Sequence, residues 1–327
     1  MTVATVLLAY AVGAATVGAR LLARVGWTGR APLLGILIYL AAAWSVIAAL
    51  RLAGLTLAVH ATALGGALSQ LIGACVLRLR DTYATPGGMA AAGAGLVLVG
   101  AVATRTALTA ASHLRVTRRQ ALRHARTARL VGRPEPALGA VLVEHAQPAA
   151  YCLAGRHPTV IMTTGALDVL APSQLDAVLA HERAHLAWRH HRLLALARIG
   201  RRALPFLPLM RHAEAQVERL VELHADDAAT QARDPRSLAT ALVLLATAAS
   251  ASDSAPVPTA PGSGPVLAST ATDAVQRIQR LLRPAEPLGG PQRLLLRAMA
   301  TALVLGPLVM ALAPAVLALA LGRVPHA

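Results

Sequence analysis

His181-Glu182-Arg183-Ala184-His185 places two imidazoles four residues apart with a carboxylate directly after the first. On a helix, where each residue turns the chain by about 100°, positions i and i+4 share one face, so both rings reach a single ion. Neutral imidazole is a natural zinc ligand, and zinc lowers the pKa of a water it holds to about 7. Glu182 would lie beside that water and take its proton as it attacks a carbonyl carbon. The pattern therefore points to hydrolysis. Chance produces it about once in a hundred chains of this composition, so its surroundings and a third ligand decide its meaning.

The surroundings read as a helix over 173–199. Pro172-Ser173-Gln174-Leu175-Asp176 is a helix start, with Ser173 as the cap and Asp176 three residues on. Leu175, Val178, Leu179 and Leu186 supply an apolar face. Two residues compete as third ligand. His191 follows His185 by six, the spacing of metzincins, but that arrangement needs a glycine turn where Trp188 stands. Glu222 heads Glu222-Leu223-His224-Ala225-Asp226 in a second helical pattern, 213–231, and is favoured, with Glu218 one turn earlier as the fallback. Asp226 lies one turn after Glu222 on the same face, where it can hold a ligand imidazole by its free ring nitrogen. For all three carboxylates the plain alternative is a hydrated acidic face. His145, His157, His190, His212 and His224 have no spacing that links them to the site, and packing or surface roles are expected for each.

The elements that position these residues belong to a membrane chain. Of the 327 residues, 56% are hydrophobic and 14% charged, with a mean hydropathy of +0.56, a balance soluble domains seldom reach. The formal charge is +16 and all 31 basic residues are arginine. With only 2% aromatic residues the stacking platforms of single-strand nucleic-acid binders are missing, so no direct nucleic-acid binding is expected. Cys75 and Cys152 have no metal-type spacing and read as buried thiols. Arginine-only, alanine-rich usage suggests a GC-rich bacterial genome.

Apolar runs over about 3–22, 33–50 and 89–108 are long enough to span a bilayer. The first lacks a basic leading region and is followed at once by another span, so it reads as retained. Arg115, Arg118, Arg119, Arg123, Arg126 and Arg129 follow the third run and belong in the cytoplasm by the positive-inside rule, which puts the amino terminus outside. The segment 52–76 is apolar but broken by Gly54, His60, Gly65 and Gly66, and reads as re-entrant or interfacial. A last run, 294–321, carries Pro307 and Pro314 and gives a fourth span, with a short carboxy terminus outside. The organisation expected is a membrane region over 1–111, a catalytic domain over 112–290 and a final span within 291–327. Strands are expected at 140–144 and 160–163, and a mobile low-complexity loop at about 250–272.

Tyr151-Cys152-Leu153-Ala154-Gly155, the run 160–167, the stretch 175–185 and the stretch 222–226 together resemble the integral-membrane gluzincins. The nearest resemblance is to the BlaR/MecR-type membrane metallopeptidases of bacterial antibiotic sensing, with HtpX and CAAX-protease enzymes more distant; it covers about 120–285. It implies a mainly α, multi-span membrane protein with a zincin-like α+β metalloprotease domain inserted before the last transmembrane helix. It implies one zinc ion held by His181, His185 and Glu222, with Glu182 as base and Asp226 in support. The strand at 160–163 would lie at the cleft edge and pair with an extended substrate. Arg277, in Gln276-Arg277-Ile278, resembles an arginine that assists the oxyanion or closes the site. The BlaR/MecR-type sensors carry a penicillin-binding domain after the last span, and no such domain follows here, so β-lactam sensing is not inferred.

The expected activity is a cytoplasm-facing zinc endopeptidase in a bacterial membrane. Its substrate would be a protein or peptide, with a transcriptional repressor as the signalling candidate. The alternatives are HtpX-like quality control of membrane proteins and a catalytically silent adaptor with a structural zinc, the last disfavoured because such a zinc has no use for Glu182.

Overall fold

The structure, a computed structural model, describes residues 3–58, 88–155, 157–251, 271–283 and 286–320. It is mainly helical, with four helices among the described residues long and apolar enough to cross a membrane and one small sheet. Helix α1 (Val3–Ala23, with one π turn at Ala14–Gly18) and α2 (Pro32–Ala58) form a hairpin through a short 3₁₀ turn at Trp27–Arg30. The third, α3 (Gly88–Val131), and the last, α10 (Gly290–Ala320), both pack on α2, which is the buried centre of the bundle. Between α1 and α2, Tyr10 Oη donates a 2.8 Å hydrogen bond to Ser45 Oγ, the kind of polar tie that holds helices together in lipid. Pro307 and Pro314 sit within α10 without ending it. Beyond residue 58 the interrupted segment 52–76 lies outside the described residues, as does most of the loop at 250–272 and Cys75.

The basic segment after the third apolar run is not a separate element. It continues α3, because residues 101–131 contain neither glycine nor proline and are rich in alanine and arginine, all good helix formers. At about 1.5 Å per residue a helix of this length greatly exceeds a bilayer core of about 30 Å. Its arginine-rich end therefore projects beyond the apolar layer and runs beneath the sheet.

That sheet has the order β1 (Gly132–Glu135), β2 (Ala140–Val143), β4 (Thr159–Thr163), β3 (Ala150–Leu153), with β2 and β4 parallel and the outer pairs antiparallel. The strand expected at the cleft edge, β4, is interior: both of its sides are taken, by β2 and β3. The edge that lies on the motif helix is β3. After α4 (Thr164–Val169), the helices α5 (Pro172–Ala187), α6 (His190–Ala203), α7 (Pro208–Ala229), α8 (Pro235–Ala251) and α9 (Ala271–Leu282) build the rest of the domain.

Two cores meet at α7. Its first half buries Leu209, Met210, Val217 and Leu220 against Ile36, Tyr39 and Val46 of α2. Gly35 permits this approach, since a Cβ there would stand 2.8 Å from Leu220 Cδ1. The apolar core is thus continuous across the boundary expected near residue 111. The second core joins Ala177, Val178 and Leu179 of α5 to Met162 of β4 and to Leu238, Leu242 and Leu245 of α8. The second half of α7 lies against α5, so the helix rooted in the bundle delivers its carboxylates to the motif.

Candidate metal centre

Helix α5 begins two residues earlier than its polar side chains suggest. Ala171 is the N-cap and Pro172 the first helical residue, where a fixed φ helps and a missing N–H costs nothing. Gln174 Oε1 accepts a 2.8 Å hydrogen bond from Ala171 N, so Ser173 is not the cap, while Asp176 is engaged by Arg233 at 2.7 and 3.2 Å. From this start the helix runs through the whole motif, and Arg183 anchors it to the β1–β2 turn by donating to the Leu138 carbonyl at 2.6 Å.

His181 Nε2 and His185 Nε2 lie 3.1 Å apart, and Glu222 of α7 brings Oε2 to 3.6 Å from the first and Oε1 to 3.7 Å from the second. Bonds of about 2.0–2.1 Å to a tetrahedral ion put neighbouring donors about 3.3 Å apart; the two imidazole nitrogens stand near that spacing and the Glu222 carboxylate reaches each of them through a different oxygen, so the three side chains can hold one zinc-sized ion. Among the described residues these three are the group of histidine, cysteine and acidic side chains that could hold a metal ion. His191 lies on another face of its helix and is not in the group. Glu218 is exposed and accepts from Arg198 at 2.9 and 3.2 Å, which removes the fallback.

Behind these three side chains, Asp226 is 1% exposed and its Oδ1 lies 3.0 Å from His181 Nδ1, without the alignment of a full hydrogen bond. Its two oxygens accept from Arg277 Nε at 2.8 Å and Nη2 at 2.7 Å. The remaining guanidinium nitrogen, Nη1, is 3.0 Å from Glu222 Oε2. All three nitrogens of Arg277 therefore face the carboxylates of α7, so in this structure the residue braces the ligand helix from α9. One turn on, Arg280 repeats the pattern with Asp227 at 2.5 and 2.8 Å and donates to the Gly29 carbonyl at 3.0 Å, tying α9 to the α1–α2 connection. Because Arg277 and Asp226 are both almost fully buried, Arg277→Ala strips the Asp226 carboxylate of its two guanidinium hydrogen bonds and leaves it only the His181 ring. The zinc-free chain is then expected to lose roughly 3–5 kcal/mol of stability, read from denaturant unfolding in detergent.

Electrostatics separate the two carboxylates. Burial pushes Glu182 up to about 7, whereas for Glu222 the opposing effect of burial is overcome by the His185 and Arg277 charges, which hold it down at about 2. Burial lowers His185 to about 4. For His181 burial acts downward too, but the Asp226 and Glu222 carboxylates beside it outweigh it and raise the ring to about 9. Cys152 of β3 is a buried free thiol close to Glu182, and burial together with that carboxylate keeps it protonated. The site thus contains one anionic carboxylate suited to ligation and one poised to gain and lose a proton near neutral pH.

Two histidines without a sequence argument stand at this site. His190 Nδ1 is 3.0 Å from His185 Nδ1, and His190 Nε2 is 2.9 Å from His224 Nδ1. Residues 113–285, just over half of the chain, match the model of peptidase family M48. No curated protein and no solved structure matches the chain.

Proposed function

The chain belongs to peptidase family M48, and from that premise we propose that it is a zinc-dependent endopeptidase of the bacterial cell membrane that cuts a regulatory protein on the cytoplasmic side. The observation that carries the hydrolytic part is the convergence of His181 Nε2, His185 Nε2 and the Glu222 carboxylate, with the buried Glu182 carboxyl beside them. Zinc held there supplies Lewis-acid activation of a water molecule and of the substrate carbonyl. The other steps belong to side chains of this chain. Glu182, whose carboxyl burial raises to about 7, takes a proton from the attacking water and hands it to the departing amine nitrogen, so that water is added across the peptide bond. Asp226 and Arg277 fix His181 and Glu222 during that exchange. An extended substrate strand would pair with the outer side of β3, Ala150–Leu153, which no strand among the described residues occupies and which lies near Glu182.

The orientation rests on the arginines of α3: six of them between 115 and 129 sit where the helix leaves its apolar half, on the side of the sheet and the site, and the positive-inside rule places that side in the cytoplasm. The signalling assignment rests on the resemblance to BlaR/MecR-type proteins in motif and span layout. It is tested by comparing new protein amino termini, by mass spectrometry, in cells making the parent chain or Glu182→Gln. One or two cuts that depend on Glu182, in a DNA-binding regulator, are the expected result; many scattered cuts in membrane proteins would replace it with HtpX-like quality control.

A further inference from the structure

We propose that His190 and His224 are positioning residues that hold the metal ligand His185 in its metal-ready tautomer, as a relay of three imidazoles running from the site toward the surface. The inference rests on the reading of His185 as a ligand. A ligand histidine gives one ring nitrogen to the metal and carries its proton on the other, which needs an acceptor. For His181 that partner is the Asp226 carboxylate. For His185 it is His190, whose Nδ1 lies 3.0 Å from His185 Nδ1.

Proton counting then fixes the rest. With Nε2 of His185 turned to the metal, its Nδ1–H donates to His190 Nδ1, so His190 carries its proton on Nε2 and donates to His224 Nδ1 at 2.9 Å. His224 in turn carries its proton on Nε2. Reversing any one ring would set two protons or two lone pairs against each other, so the three tautomers change together. The rings meet edge to face, at 4.8 Å and 86° for His185 with His190 and at 5.2 Å and 65° for His190 with His224. His190 is 1% exposed and His224 9%, and Trp188, itself largely exposed, closes the outer end against His224 at 4.8 Å.

The backbone is bent to make this contact. In an unbroken helix a residue five positions on is turned by about 140° from His185 and cannot touch it. Here Arg189 adopts a left-handed conformation, φ 52° and ψ 41°, the one non-glycine residue with positive φ among those described. Such a conformation is costly for a side chain with a Cβ and persists only where the surroundings enforce it. It ends α5, restarts the chain as α6 at His190 and folds that ring back onto His185.

The test uses the full chain in detergent, with zinc titrated against a chromogenic chelator. Asparagine places its amide oxygen where histidine has Nδ1, and glutamine places its amide where histidine has Nε2. His190→Asn keeps an acceptor for His185 and is expected to bind zinc within about threefold of the parent. His190→Gln keeps a contact toward His224 but leaves His185 without its acceptor, and is expected to bind roughly 10–100-fold more weakly. Equal thermal unfolding of the two zinc-free variants, together with their unequal affinities, would establish positioning rather than packing. Parent-like affinity in both variants, or equal losses in both, would overturn the relay. Undiminished zinc binding by His185→Ala would instead overturn the ligand assignment beneath it.

Discussion

Glu182→Gln is expected to bind zinc as the parent does and to cut peptide bonds about 10²–10⁴-fold more slowly, the range set by losing a positioned proton-transfer group. The amide matches the carboxylate in shape and stays in the same buried position, 2% exposed, so α5 and its neighbours have no reason to move. It cannot accept a proton from water. Glu182 is not one of the three side chains grouped as metal donors, so metal affinity should change little. Zinc content by mass spectrometry and cleavage of an unfolded protein, measured on the same preparation, separate the two effects. Parent-like cleavage by this variant would remove Glu182 from the chemistry.

Glu222→Gln is expected to do the reverse and lose the metal itself. Groups that merely support a ligand are worth roughly 10–100-fold in affinity, so replacing an anionic ligand with a neutral amide should cost more than about 100-fold. The anion is well prepared for the part: His185 and Arg277 hold its carboxyl at about 2, ionised at any working pH. Arg277 keeps its two contacts with Asp226 in the variant, which limits damage to the fold and leaves metal affinity as the main readout. Zinc retained at one ion per chain through extensive dialysis would take Glu222 out of the ligand set.

The sequence made the intrahelical part of this site legible because helix geometry alone brings positions four apart together. That logic reached His181 with His185 and, on α7, Glu222 with Asp226. It could pair the two helices only by chemistry, since a gap of 37 residues between His185 and Glu222 has no periodicity to read. Arg277 shows the limit. Its place near the site was legible by resemblance, but its role depends on which acceptors reach its nitrogens, and those lie 51 residues away on another helix. His190 was out of reach for a different reason: it touches His185 only because Arg189 turns left-handed, and arginine gives no such signal. The adjacent polar and aromatic residues Trp188 to His191, breaking an otherwise apolar pattern, were the one local hint.

Strand order posed a similar difficulty. Val160 to Thr163 and Ala150 to Leu153 are both short buried runs, and nothing local to either says which has a neighbour on each side. The bundle and the catalytic helices were legible as separate compositions, yet α7 joins them through Leu220 and Gly35, a contact between two apolar surfaces that the sequence presents 185 residues apart. The consequence is physical continuity from the membrane hairpin through α7 to Glu222, reinforced from the other side by Arg280 and Gly29.

The most direct test of the central claim is cleavage of an unfolded fluorogenic protein by the purified full chain in lipid nanodiscs, followed through removal of metal with a chelator and return of one equivalent of zinc. Activity should vanish with the chelator and come back with zinc in the parent, and stay absent throughout in Glu182→Gln. Cleavage that survives complete removal of metal, or that Glu182→Gln performs equally well, would contradict metal-dependent hydrolysis at His181, His185 and Glu222.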